Sequence, residues 1–183
     1  MATTYLSRTP GSTGNRRTWT LSLWFKKSRI RGTGAEKLFS ANDGTDFSTL
    51  YFNNDSLKYY DYVSGNVNDV ETTRVFRDVN AWYHIVLRFD STNSTASDRF
   101  RLYVNGVQET SFDNDGTAST FSSDYVTALS TSGANQFIGR TVGYSSYWDG
   151  SMSHFHLCDG YSYAPTVFGS TDSTTGEWKI NTS

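Results

Sequence analysis

Apolar and polar residues alternate with a period of two over much of this chain. That spacing sends successive side chains to opposite faces of a strand. The pattern is clearest in residues 82–110, WYHIVLRFDSTNSTASDRFRLYVNGVQET. Tyr83, Ile85, Leu87 and Phe89 fall on one side, and Trp82, His84, Val86 and Arg88 on the other. Phe100, Leu102 and Val104 repeat the period with Arg101 and Tyr103 opposite, and Asn105-Gly106 supplies a turn pair that accepts positive φ. A strand with one wholly apolar face needs a second sheet to cover it, so a two-layer antiparallel protein is expected.

The rest of the chain reads as more strands. Residues 18–27, TWTLSLWFKK, place Trp19, Leu21, Leu23 and Phe25 together, with Thr20, Ser22 and Trp24 opposite. Short strands are predicted over 37–41, 47–53, 57–63, 70–76 and 136–139, with Asn42-Asp43-Gly44 and Asn54-Asp55-Ser56 as turns. Residues 151–159 alternate again, Ser153, Phe155 and Leu157 against Met152, His154, His156 and Cys158. Residues 124–129 fit a short helix or a strand equally well, and 160–183 have no clean period. Ten or so short strands, with no alternating helices, predict an all-β, two-sheet antiparallel jelly-roll sandwich.

Composition supports this and narrows the setting. The 183 residues suit one domain, and the 12 Tyr, 12 Phe and 5 Trp favour strands. A single cysteine, Cys158, rules out an intrachain disulfide. No apolar run is long enough for a membrane helix, so no membrane partner is expected. The net charge of −2 is unevenly spread: residues 1–37 carry eight basic groups and one acid, and the other 146 carry eight and seventeen. Arg8, Arg16, Arg17, Lys26, Lys27, Arg29 and Arg31 are therefore a candidate basic interface patch, unless the fold brings the two halves together and mixes the charges. That patch lacks interleaved stacking aromatics beyond Trp24 and Phe25, so direct nucleic-acid binding is not expected.

Three motifs carry a family resemblance. Trp82-Tyr83-His84-Ile85-Val86 is followed, after a polar gap, by Arg101-Leu102-Tyr103-Val104-Asn105-Gly106; Asn135-Gln136-Phe137-Ile138-Gly139 comes next; Tyr147 to Phe155 comes last. Their order resembles laminin-G-like domains of the concanavalin A-like lectin/glucanase superfamily, over roughly residues 18–168. The resemblance implies a single such domain across 1–183, with an N-terminal arm or edge strand at 1–17, the sandwich at 18–168 and a tail at 169–183. The two ends, Thr4 to Thr20 and Tyr163 to Lys179, are similar to structural proteins of tailed phages, marine ones especially, in which the chain commonly runs on past the tryptophan matching Trp178. This implies a virion structural or decoration protein on the capsid surface or tail, packed on other virion proteins or on copies of itself.

The alternative that the resemblance implies is a carbohydrate-binding domain for host-surface glycan. Sugars are held by an exposed ring with amide and carboxylate partners, types present in Tyr144, Tyr147, Trp148 and Asp149 and again in Tyr60 and Asp61. Core packing or subunit contact would use the same rings; by resemblance Trp148 is the core member. Hydrolysis would need two carboxylates flanking the bond. Glu36, Glu71, Glu109 and Glu177 have no acidic partner two to four residues away on a predicted strand, so no enzyme and no catalytic residue is expected. The resemblance leaves calcium open as the one cofactor. Asp113 and Asp115 in one loop, and Asp43 and Asp46 in another, offer hard oxygen ligands, with Asx-turn capping as the competing use. His154, His156 and Cys158 are spaced about 6.5 Å per two strand residues, too far apart to meet one ion easily.

Overall fold

A computed structural model describes residues 3–113, 121–141 and 146–181. Its strands are β1 (Leu6–Arg8), β2 (Thr18–Lys27), β3 (Ala35–Asn42), β4 (Phe47–Asn53), β5 (Ser56–Val63), β6 (Asn66–Val75) and β7 (Tyr83–Asp90). These are followed by β8 (Phe100–Val104), β9 (Val107–Gln108), β10 (Phe112–Asp113), β11 (Asn135–Ile138), β12 (Gly150–Asp159), β13 (Gly169–Thr171) and β14 (Trp178–Ile180). A seven-stranded sheet runs β1-β11-β3-β4-β5-β6-β10, and a five-stranded sheet runs β12-β2-β7-β8-β9. Neighbouring strands pair antiparallel, as in β4 with β5 and β2 with β7. The expected all-β jelly-roll sandwich is the fold observed.

The core lies between the sheets. Trp19, Leu21, Leu23 and Phe25 of β2 and Ile85, Leu87 and Phe89 of β7 pack against Phe39, Leu50, Phe52, Leu57 and Tyr59 of the facing sheet. Phe25 meets Phe52 and Phe76 edge-on, with ring centroids 5.1 and 5.6 Å apart. Each such side chain contributes about 1.5–3 kcal/mol by leaving water.

Two local expectations are corrected. On β12 the alternation breaks at a β-bulge between Ser153 and His156, where His154 takes a φ of +48°. The extra residue turns Met152, Phe155 and Leu157 toward the core and leaves Ser153, His156 and Cys158 paired with the outward Trp24, Ser22 and Thr20. Residues 124–129 are neither helix nor strand.

The C-terminal segment is also ordered. β13 and β14 form a hairpin, and its Trp178 closes onto the outer face of the five-stranded sheet. Trp178 Nε1 donates to His84 Nδ1 at 2.9 Å, and Thr20 Oγ1 donates to the Tyr161 carbonyl at 2.6 Å. With Nδ1 accepting, neutral His84 carries its proton on Nε2, which donates to Ser22 Oγ at 2.8 Å. Gly169 leaves room for the indole: a Cβ there would stand 2.7 Å from Trp178, and one on Gly106 would collide with the same ring. β2 and the middle of β7 are therefore buried on both faces, not on the core face alone.

Candidate functional site

The outer face of the seven-stranded sheet carries an open row of rings. On β5, Leu57, Tyr59, Asp61 and Val63 point inward, so Lys58, Tyr60 and Tyr62 point out. Phe47 of β4 lies directly across from Tyr62 and diagonal to Tyr60. The three rings stand nearly parallel, Phe47 lying 5.6 Å from Tyr60 and 5.5 Å from Tyr62, and all are half-buried. Pairing registers place Asn42 beside Phe47, Asp69 beside Tyr60 and Thr49 between them. The row thus has apolar ring surface, two phenol hydroxyls and amide and carboxylate neighbours, the set a sugar needs.

The next row on this face is charged. Lys58 Nζ bonds Asp69 at 2.7 Å and Glu71 at 3.2 Å. Burial works against the Lys58 charge, but the two carboxylates outweigh it and hold its pKa above the ordinary value. Lys37 Nζ sits 3.4 Å over the Tyr51 ring, and burial, aided by Lys58, lowers its pKa to about 8. At the other end of the sheet, Arg140 lies over the Tyr5, Phe137 and Tyr147 rings, at 4.7, 5.4 and 5.7 Å.

The residues expected to bind glycan are divided by this architecture. Tyr60 belongs to the open row, and Tyr147 to the Arg140 cluster. Trp148 is in the core, 5.8 Å from Phe52 and 5.9 Å from Phe25. Asp149 takes Arg29 at 3.0 Å, and Tyr144 lies outside the described residues. Asp61 is not on the surface at all: it is fully buried, accepting from the Ser48, Tyr59 and Tyr125 hydroxyls. Burial raises its pKa to about 6 against those hydrogen bonds.

The loop carboxylates are used by the backbone. Asp43 Oδ1 accepts from the N–H groups of Thr45 and Asp46 at 2.9 and 2.8 Å, an Asx turn. Asp46 Oδ1 accepts from Ser64 N at 2.9 Å, and Oδ2 faces Arg16 at 4.0 Å. Asp113 is exposed on β10, and Asp115 lies outside the described residues. Among the described residues no group of three His, Cys, Asp or Glu is placed to hold a metal ion.

The basic segment is largely tied to acids from the rest of the chain. Arg16 faces Asp46, Arg17 faces Asp124, and Arg29 bridges Glu36 and Asp149. Arg31 donates from its backbone N to Asp55 at 3.2 Å and from Nη1 to the Ala35 carbonyl at 3.0 Å. Lys27, expected on an interface patch, is buried between the sheets: its ammonium bonds Asp55, faces Glu36 at 3.5 Å and lies over the Phe52 ring. Burial raises the Glu36 pKa despite Lys27, whereas on Asp55 the hydrogen bonds from Lys27 and Arg31 outweigh burial and lower it. Arg8 and Lys26 stay at the surface, the one exposed and the other half-buried.

Phe47, Lys58 and Asp69 were absent from the sequence-based candidates. Parity was the available signal: residues on β5 that share parity with Tyr60 face out, and Phe47 is the first residue of the paired strand.

The profile described as the concanavalin A-like lectin/glucanases superfamily matches residues 2–167. No curated protein sequence matches the chain. Among solved structures, domain 4 of AbnA, an extracellular arabinanase from Geobacillus stearothermophilus, in complex with arabinotriose, is similar with a TM-score of 0.60 at 15% identity. That match covers 86% of this chain and 67% of the other. The CBM40 of Ruminococcus gnavus IT-sialidase gives 0.56 at 14% identity, over 88% of this chain and 95% of that one. Mouse laminin α1 domains LG4-5 give 0.56 at 12% identity, over 86% of this chain and 40% of theirs. No membrane-length apolar helix occurs among the described residues. At these identities the structural matches speak for the fold alone; with the profile covering most of the sequence, the chain belongs to the concanavalin A-like lectin/glucanase superfamily.

Proposed function

We propose that this chain is a carbohydrate-binding domain without catalytic activity, holding glycan across the outer face of the seven-stranded sheet. The observation that carries the reading is the half-exposed Phe47, Tyr60 and Tyr62 row with Asn42 and Asp69 at its edges. Binding is favoured over hydrolysis because the acids on the outer face of β6, Asp69 and Glu71, are both held by Lys58. The reading requires no cofactor; Asp43 Oδ1 and Asp46 Oδ1 already accept backbone N–H groups. The test is a glycan array followed by calorimetry, with and without calcium. The double variant Tyr60→Ala/Tyr62→Ala loses at least about tenfold in affinity, roughly 1.4 kcal/mol. Undiminished binding by the double variant removes this reading.

The second reading sets the domain in a tailed-phage virion, where it packs on neighbouring virion proteins or on copies of itself. It is favoured by the sandwich edge. There Leu6, 67% exposed on β1, borders a cavity of about 260 Å³ lined by Phe39, Ile138, Phe155 and Leu157 together with Ser7, Arg8 and Gln136, a mainly apolar surface that a neighbour would cover. Light scattering decides: assemblies larger than a monomer that Leu6→Asp dissolves support it, and a monomer at high concentration counts against it.

A further inference from the structure

Between the sheets lies a trio of ionisable side chains that glycan binding does not use. Lys27 ends β2 with the inward parity of Phe25, Glu36 comes from β3, and Asp55 from the two-residue turn between β4 and β5. The side chains of Lys27 and Asp55 are 0% exposed, and that of Glu36 is 1% exposed. Lys27 Nζ stands 2.5 Å from Asp55 Oδ1 and 3.5 Å from Glu36 Oε2. The Phe52 ring lies against the same nitrogen, its centroid 4.7 Å away.

Two of the three are poorly suited to a purely structural ion pair. Asn54 and Asp55 have φ of +50° and +70°, a turn conformation whose second position usually holds glycine. Asp55 stands at that position, and its carboxyl is buried instead of meeting water. Both oxygens of Glu36 are also buried, and neither has a hydrogen-bond partner among the described residues. Glu36 is thus a base kept dry beside an amine, and its burial raises its proton affinity. At rest the hydrogen bonds from Lys27 and Arg31 hold Asp55 ionised. If one proton crosses from Nζ to Oδ1, both charges vanish, a change that burial favours. A neutral amine then touches a carboxylic acid, with the high effective concentration of an intramolecular pair and with water excluded.

We infer that Lys27 and Asp55 condense into an isopeptide bond inside the folded chain, with Glu36 as the proton carrier. The proton at the 2.5 Å contact passes from Nζ to Oδ1. The nitrogen lone pair then attacks Cγ, and the carbonyl electron pair moves onto Oδ2. There the Gly32 N–H and Arg77 Nε, at 3.2 and 3.4 Å, stabilise the developing negative charge. Glu36 takes a second proton from the nitrogen and delivers it to Oδ1. Oδ1 leaves as water, the pair on Oδ2 restores the carbonyl, and Glu36 is a carboxylate again. One ammonium and one carboxylate become one amide and one water. The bond ties β2 of the five-stranded sheet to the β4–β5 turn of the other. It is a covalent staple for a chain whose single cysteine cannot form a disulfide within it.

The experiment is mass spectrometry of the intact, denatured chain, with peptide mapping after proteolysis. The parent is lighter than its sequence by one water, and one branched peptide joins the segment around Lys27 to that around Asp55. Lys27→Met and Asp55→Ala keep their full sequence mass. Glu36→Gln retains both reactants, and its linked fraction falls at least about tenfold. A parent at full sequence mass overturns the inference, and that measurement does not depend on any variant folding. A water loss that persists in Lys27→Met or Asp55→Ala overturns it too, because the dehydration then lies elsewhere. Undiminished linkage in Glu36→Gln overturns the role given to Glu36.

Discussion

The two outer faces of this sandwich start from the same sequence pattern and end in different states. On the seven-stranded sheet, Phe47, Tyr60 and Tyr62 follow the outward parity of β4 and β5 and stay half-exposed. On the five-stranded sheet, Thr20, Ser22, Trp24, His84 and Val86 follow the same rule, yet all are buried, because residues 160–181 lie over them. Parity decides which way a side chain points; only the path of a distant segment decides whether that face meets water. The open face offers rings to a ligand. The covered face spends its rings on the chain itself.

The space between the sheets sets the upper bound for any perturbation of either face. Lys27→Met leaves Asp55 and Glu36 buried without their ammonium, and Arg77 and Arg29 reach them only from the exposed side. Loss of one partner of a buried pair costs about 3–5 kcal/mol. Urea denaturation of this variant should show a loss of that size; a loss under 1 kcal/mol would mean that water already solvates the cluster.

Uncovering the covered face comes next. Trp178→Ala removes the ring that fills the slot at Gly106 and Gly169 and leaves His84 Nδ1 without its donor. Because Trp178 is only partly buried, the expected cost is about 3 kcal/mol, at the low end for a tryptophan truncation. The cut should also expose backbone amides of β2 and β7 to hydrogen exchange while sparing β4 and β5. Equal exchange in both sheets would refute the idea that the segment covers one face only.

The faces also differ in how they respond to pH. Burial, with His156 nearby, lowers the His84 pKa to about 4 from an ordinary 6.5. A lowered histidine favours the fold fully above about pH 6.5, and that stability is lost as pH falls toward 4. Under the seven-stranded sheet Asp61 is raised to about 6 by burial, against an ordinary 3.8. Its contribution is present below about pH 3.8 and is lost as pH rises through 6. At 1.36 kcal/mol per pH unit each effect is about 3 kcal/mol, and between pH 4 and 6 they oppose each other. Relative to the parent, Asp61→Asn should therefore lose stability on acidification over that window, and His84→Gln should gain it. Parallel pH profiles for parent and variants would sink this account.

Much of this was legible in the sequence, and the failures share a cause. β2, β4 and β8 have the predicted bounds because their alternation is unbroken. The inward placement of Lys27 and Asp61 was legible too: Lys27 shares parity with Trp19, Leu21, Leu23 and Phe25, and Asp61 with Leu57, Tyr59 and Val63. Residue type suggested surface, parity required burial, and the buried partners allowed parity to win. The bulge at His154 had no such signal, since one inserted residue shifts every later side chain without changing composition. The C-terminal cover was illegible because its fit depends on glycines 72 and 9 residues before Trp178, at positions 106 and 169, which no local period records. The open row was half legible: Tyr60 was among the candidates, but its partner Phe47 reaches it only through cross-strand register.

The smallest expected effect on stability is on the open face, and it separates a packing role from a binding role most cleanly. Tyr62→Ala removes a ring that pairs with Phe47 on one side and meets water on the other. Cross-strand aromatic pairs contribute about 0.2–1 kcal/mol, so the variant should unfold within about 1 kcal/mol of the parent. A loss as large as that of Trp178→Ala would mean that the row is structural and that the two faces differ less than they appear to. A near-parent denaturation curve combined with a tenfold loss of glycan affinity would mean that the ring is kept for what it touches outside the chain.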